Sequence, residues 1–416
     1  MSSESIEELS LKRLIALAVA GAIIASTASI AASYILLVAV LVLSILDAVL
    51  SRKIHLKFPP YARILGLFSL VFVLSALFSD DVPHSLRSLK RLIRFAYVPL
   101  VFSCLGQSQV EGALRWIHAF VIASAGYAVL QYFWLKDVDL LNRTTGFMSH
   151  WMTLSGQLMF VSLSLTGYLF WKGRLIARTS HSGRAESAGI DQTMAPSVSK
   201  HAFFLWAGGL ALILWALVLT MTRSAWAGFV VGGLVLLIFI RWKWMLIVLA
   251  ALVVLVLTLP QPFRDRLESG FDVTDTTTRI RGELLQTGAR MIAAKPWFGV
   301  GPGLLSRSSL EYRSHEEFPD SAYQHLHNNV FQIGAELGLF ALAVWLALWL
   351  SVARDLISLY RRSSDEFCRY LALNGVAAVV AFQVAGLFEY NFGDAEIIIL
   401  LLFLVTAPYA VQARAS

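Results

Sequence analysis

Apolar runs of roughly 20 residues, the length a helix needs to cross a hydrocarbon core, recur along this chain from one end to the other. In lipid such a run closes its own backbone hydrogen bonds only as a helix. Of the 416 residues 57% are hydrophobic and 15% charged, whereas soluble domains carry about 25% charge. The sequence therefore predicts an all-α polytopic membrane protein with about twelve transmembrane helices. Met1 to Arg13 hold several acidic residues and no small-residue cleavage site, so the first apolar run reads as a retained helix rather than a signal peptide.

Residues 14–50 are too long for one span, and their Ser/Thr/Ala-rich middle predicts a turn between two. Further spans are expected at 64–78, 113–135, 154–171, 202–219, 225–240, 245–259, 328–350, 370–388 and 395–411, and another apolar run ends near Leu105. Residues 172–200, rich in Ser, Gly and Arg, read as a flexible loop. The division expected is a transmembrane region at 1–259, a long, partly helical segment at 260–326 and a second transmembrane region at 327–416, all one integrated membrane domain.

Charge assigns the sides. Arg52, Lys53, Lys57, Lys172, Arg174, Arg178, Arg184, Arg241, Lys243, Arg354, Arg361, Arg362 and Arg414 fall on one side of the alternating spans. Asp80, Asp81, Asp137, Asp139, Glu389 and Asp394 fall on the other. Positive residues stay inside, which puts both termini in the cytoplasm and 260–326 outside. The same bias accounts for the net charge of +7 without a nucleic-acid partner.

One segment breaks the bias. Arg87, Lys90, Arg91 and Arg94 lie at helical spacing with Leu86, Leu89, Leu92 and Ile93 interleaved, on the outer side. It reads either as an interfacial helix on anionic membrane lipids or as a holder of a phosphate-bearing substrate. Cys104 and Cys368 are isolated and read as buried thiols.

Three outer features could carry chemistry. Arg223 sits in the short turn Thr220-Met221-Thr222-Arg223 between two apolar runs, and a guanidinium forks onto phosphate or carboxylate. Arg279 and Arg281 precede a turn, Pro296-Trp297-Phe298-Gly299-Val300-Gly301-Pro302-Gly303, whose backbone N–H groups could approach a ligand. His325 and His327 stand where the outer segment enters a span, and a neutral imidazole makes a general base near pH 7. No third metal ligand is evident beside them. Cations plus a base suit displacement of a phosphate leaving group. A transporter would instead carry ionisable residues at mid-membrane depth.

In this combination the sequence resembles the O-antigen ligase family and its polymerase relatives. The carriers are Arg223 in Thr-Met-Thr-Arg-Ser-Ala-Trp-Ala-Gly, Arg281 ahead of the Pro296–Gly301 turn, and His327-Asn328 ahead of Gly338-Leu339. The late outer turn Glu389-Tyr390-Asn391-Phe392-Gly393-Asp394 also matches. Where the family often has an aromatic after its outer-loop arginine this chain has Leu285, leaving Arg279 and Arg281 as alternatives.

The resemblance implies a fold like that of C-type glycosyltransferases in a bacterial inner membrane, with the site on the periplasmic face. It implies a donor glycan on undecaprenyl diphosphate and a lipid A–core sugar hydroxyl as acceptor. His327 would be the base, with Arg223 and Arg281 on the diphosphate. Arg279, Arg87, Lys90, Arg91, Arg94, His325, Asn328 and Glu389 are further candidates for substrate contact. No cofactor and no metal are expected. An O-antigen polymerase, a protein O-oligosaccharyltransferase and, from another class, a transporter are the alternatives.

Overall fold

The computed structural model describes residues 3–53, 56–135, 143–182, 200–244, 260–269, 275–314 and 318–415, with single positions 246, 250, 254, 257, 258 and 272. Among these residues the chain is helical and no strand occurs. Among the described residues seven helices are long and apolar enough to cross a membrane: Ile30–Ser51, Gln107–Leu135, Lys200–Leu219, Arg223–Arg241, Asn329–Arg362, Glu366–Gly386 and Ala395–Arg414. Ala62–Leu77 is a shorter apolar helix. The expected span at 245–259 lies largely outside the described residues, as do Asp137, Asp139 and Arg184.

The predicted turn within residues 14–50 is present. Helix Ser3–Ser26 stops, and Ser29 caps Ile30–Ser51 by accepting from Ala32 N–H at 3.3 Å. The predicted loop at 172–200 needs correction. Helix Trp151–Ser182 runs on through Lys172, whose ammonium pairs with Glu111 at 3.2 Å and lies 4.2 Å from the Trp171 ring centre. An ion pair and a cation–π contact extend the helix past the apolar run. Residues 183–199 lie outside the described set.

Helices Glu366–Gly386 and Ala395–Ala415 are the most enclosed. Arg223–Arg241 packs on the former through Gly228 and Gly232, where an added Cβ would stand 2.8 Å from Ala381 O and 3.0 Å from Ala377 O. Small residues four apart let two backbones approach where lipid offers no hydrophobic drive. Ile30–Ser51 and Lys200–Leu219 turn Ile35, Val42, Val49, Phe204 and Leu205 outward. These side chains suit hydrocarbon and would be a liability in water.

The two ends of the bundle differ. At one, Lys57 N–H donates to Ser103 Oγ at 2.7 Å and Arg414 donates to Ser103 O at 2.8 Å. At the other, helices Gln261–Glu268, Thr276–Ala294 and Leu305–Tyr312 cover the bundle. They enclose a small apolar core of their own around Leu284, Met291, Leu305, Tyr323 and Leu326. The candidate chemistry gathers beneath this cover.

Candidate active site

Helix Asn329–Arg362 organises the site by how it starts and where it breaks. Asn328 caps it, accepting from the Val330 and Phe331 N–H groups at 2.9 and 3.1 Å. The same side chain donates to Leu387 O at 2.9 Å. Asn329 donates to Asn391 Oδ1 at 2.6 Å and accepts from Phe392 N–H at 3.1 Å. Two adjacent asparagines thereby lash the helix start to the turn that carries Glu389.

At Gly338 (φ 84°) the helix breaks, freeing backbone groups that must find partners. The turn 296–303 supplies them. Leu339 N–H donates to Pro296 O at 2.7 Å, Val300 N–H to Ala335 O at 3.0 Å, and Gly301 N–H to Glu336 O at 2.9 Å. Gly299 and Gly301 have φ of 67° and 118°, and a Cβ on Gly338 would collide with the Trp297 carbonyl. Only glycine fits such backbone-on-backbone contact. The expectation that this turn offers its N–H groups to a ligand is therefore corrected at Val300 and Gly301, whose donors close the broken helix.

The base candidate is held under strain. His327 has φ 48°, a left-handed conformation that costs a side-chain-bearing residue about 1–2 kcal/mol. Its neighbour Leu326 is buried and donates its N–H to Gln332 Oε1 at 2.8 Å. The bend aims His327 Nδ1 at Glu389, 3.1 Å from each carboxylate oxygen. His325 Nε2 stands 3.7 Å from Glu389 Oε1, with its ring centre 4.3 Å from that of His327.

Burial pushes the Glu389 carboxyl up. The hydrogen bond from His327 and the charges of His327, His325 and Arg281 outweigh it and leave the group below its ordinary value. An ionised carboxylate only accepts, so the proton of a neutral His327 sits on Nδ1 and the lone pair on Nε2. Burial and the nearby charge of His327 hold His325 below the usual imidazole value.

Beside this pair lies a cavity of about 290 Å³ whose wall includes Arg143, Arg223, Arg266 and Arg281. The turn before Arg223 assembles them. Met221, left-handed at φ 52°, presents its carbonyl to Arg143 Nη1 at 3.4 Å and to Arg266 Nε at 3.3 Å. Arg223 donates to Arg266 O at 3.2 Å and to Ser269 Oγ at 3.1 Å. Burial, with the charges of Arg143 and Arg281, pulls the Arg266 guanidinium down to about 10. Trp151 lies under Arg143 at 5.3 Å, and its buried Nε1 has no hydrogen-bond partner. The wall is a field of crowded cations beside an unpaired Trp151 N–H, which is what an anion with several oxygens would relieve.

A second lobe of about 410 Å³ shares Met152, Thr222, Ser224, His325 and Glu389 with the first. Its wall adds His150, Thr153, Gln324, Tyr390, Asn391 and Asp394 and includes no arginine or lysine. Thr153 Oγ1 donates to Asp394 Oδ2 at 2.7 Å. Glu389 and His325 thus stand where a cationic lobe meets a neutral-to-acidic one, with His327 on the cationic side.

The structure brings together Arg223, Arg281, His325, His327 and Glu389, with Asn328 behind them as a cap. Arg279 is absent from both lobe walls; it is exposed, 5.8 Å from the Phe318 ring centre. None of Arg87, Lys90, Arg91 and Arg94 lines either lobe. Arg87 ends the short α-helix Val82–Arg87, and the other three lie on a 3₁₀ helix from Ser88 to Ala96. Arg87 and Lys90 are exposed, Arg91 pairs with buried Glu336 at 3.6 Å, and Arg94 is buried 5.0 Å from the Phe392 ring centre. Sequence reasoning missed Arg143, Arg266 and Trp151. Neither Arg143 nor Arg266 stands in a motif that the sequence singles out, and Arg266 is one of seven arginines in residues 260–326. Sequence reasoning also found no third ligand-type group for the histidines, which Glu389 supplies from 62 residues away.

Residues 208–346 match the family model described as O-antigen ligase, a stretch that contains Arg223, Arg266, Arg281, His327 and Gly338. No curated protein matches the chain. Over residues 208–346 the chain is thus similar to the O-antigen ligase family.

Proposed function

We propose that the protein is an O-antigen ligase, transferring a glycan from undecaprenyl diphosphate to a sugar hydroxyl of lipid A–core. In this reading the bundle has about twelve spans, lies in the inner membrane and opens its cleft to the periplasm. The observation that carries the reading is the 3.1 Å hydrogen bond between His327, on the wall of the arginine lobe, and Glu389, which lines both that lobe and the uncharged-to-acidic one.

The donor diphosphate occupies the arginine lobe, where Arg143, Arg223, Arg266 and Arg281 meet its oxygens and Trp151 Nε1 donates. The acceptor saccharide lies in the second lobe, among groups that pair with hydroxyls. Nε2 of His327 takes the hydroxyl proton as that oxygen attacks the anomeric carbon. The bond from that carbon to the phosphate oxygen breaks, and the electron pair leaves with the diphosphate. Fixed cations aimed at the departing charge lower the barrier without reorganising. Glu389 keeps the Nδ1 proton in place and stabilises the imidazolium that forms. Attack opposite the leaving group inverts the anomeric centre.

The test is transfer by the purified protein with lipid-linked glycan and either lipid A–core or a second lipid-linked glycan as acceptor. Product on lipid A–core supports the ligase; elongation of the lipid-linked chain would make the protein a polymerase with the same donor lobe. His327→Ala should keep donor binding and lose roughly 10²–10⁴-fold in turnover, the usual worth of a general base. A fully active His327→Ala protein would end the mechanism.

A further inference from the structure

The group at the junction has a second capability that its role as a base does not use. One ring nitrogen of His325, one of His327 and a Glu389 oxygen all lie within 4.8 Å of one another. Two of the separations are 3.1 Å, from His327 Nδ1 to Glu389, and 3.7 Å, from His325 Nε2 to Glu389. Zinc bonds to imidazole nitrogen and carboxylate oxygen at about 2.0–2.2 Å, so tetrahedral neighbours around it stand about 3.3–3.6 Å apart. The donors bracket that spacing before any ion draws them in. Two imidazoles and one carboxylate, with a cavity on the open side, form a three-ligand set with a vacant fourth position.

We propose that His325, His327 and Glu389 form a zinc-binding site whose occupancy switches the transfer reaction off. The inhibition rests on the reading of His327 as the base; the binding does not. The two roles compete for one nitrogen. As a base, His327 keeps its proton on Nδ1, given to Glu389, and its lone pair on Nε2. A metal on Nδ1 displaces that proton, and the neutral ring then carries its proton on Nε2, where no lone pair remains to accept from a hydroxyl. The ion also removes Glu389 from His327. The arginine wall opposes a divalent cation, so the site should be a weak one that a chelator empties readily.

The experiment uses full-length protein in detergent, stripped with EDTA and exchanged into metal-free buffer. Zinc binding is read by competition with a chromophoric chelator, and transfer from lipid-linked glycan is read separately. His325 is 38% exposed at its side chain, so His325→Ala is tolerated structurally, and it keeps the His327–Glu389 hydrogen bond. The stripped wild type should transfer, bind one zinc ion and lose at least about tenfold in rate when zinc is added, with EDTA restoring it. His325→Ala should bind zinc at least about tenfold more weakly, since loss of even an outer-shell partner costs that much. Its rates with and without the same zinc should then nearly agree. No zinc bound by the wild type, or equal binding by His325→Ala, would overturn the site. Binding without inhibition would overturn the switch. A wild type that never transfers under stripped conditions would remove the functional reading and leave the binding result standing.

Discussion

Two groups of arginines can be compared in this molecule, and they differ in how they come together. Arg87, Arg91 and Arg94, with Lys90, sit on one stretch at helical spacing, yet they end in separate environments. Two are exposed, one pairs with Glu336, and one is buried beside Phe392. Arg143, Arg223, Arg266 and Arg281 come from four places in the chain, yet they share one cavity wall. Spacing along a segment fixes a face only while the winding holds, and the 3₁₀ turn from Ser88 to Ala96 changes it. The dispersed set converges because tertiary contacts organise it, two of its members meeting on the Met221 carbonyl. Charge that looks clustered in one dimension is thus a weaker guide to an anion site than charge that tertiary contacts assemble.

The comparison breaks first, and by the largest amount, on the dispersed set. Arg223→Lys and Arg281→Lys keep the charge but lose the planar fork. Each should cost roughly 10²–10³-fold in turnover, as loss of an aimed transition-state donor does, and each should weaken donor binding. A turnover assay beside a donor-binding measurement reads both. Activity within about twofold of wild type in either variant would show that these arginines are structural supports rather than diphosphate ligands.

A smaller effect is expected where the two regions meet. The turn 296–303 rests on the broken helix on one side and on the basic stretch on the other, with Gly303 against Ser88 and Arg91. Gly338→Ala puts a Cβ into the Trp297 carbonyl at φ 84°. The strain alone is worth about 1–3 kcal/mol and should appear as a lowered unfolding temperature, with activity falling only as folded protein is lost. An unchanged unfolding temperature would show that the clasp yields, and the motif glycine would need another explanation.

How much of this was legible beforehand follows the same division. The helices were, because apolar runs of membrane length leave one option, and so was the turn before Ile30. Arg223, Arg281 and His327 could be read from local motifs. The Glu389 partnership could not: 62 residues separate it from His327, and nothing local announces that Asn328 and Asn329 tie their turns together. The Gly299–Gly301 turn was legible as a turn but not for its use. Its partner is a break at Gly338, inside a helix that runs from Asn329 to Arg362.

Within the basic stretch the larger expectation falls on Arg94. It lies 5.0 Å from the Phe392 ring centre and 5.8 Å from that of Phe95. Arg94→Met should cost about 1–2 kcal/mol, the scale of a desolvated cation–π contact, and should lower the unfolding temperature without moving donor affinity. Donor affinity falling more steeply than stability would extend the diphosphate site to this stretch and erase the contrast between the two groups.

The smallest effect is expected at the two outward cations. Arg87 and Lys90 are exposed and line neither lobe, so their neutralisation removes no contact with the cleft. Near an anionic leaflet each cation is worth about 1 kcal/mol of attraction, but a chain held by many apolar helices gains nothing in anchoring from that. Arg87→Gln with Lys90→Gln should therefore leave turnover and donor KM within about twofold of wild type, and change only how activity responds to anionic lipid. The measurement is donor saturation in vesicles with and without phosphatidylglycerol. A donor KM that rises in both vesicle types, with acceptor KM unchanged, would place these cations on the path by which the phosphate-bearing donor reaches the cleft. Charge spaced along one segment would then rank with charge assembled from four. A response confined to the anionic vesicles keeps the pair at the lipid surface and the distinction intact.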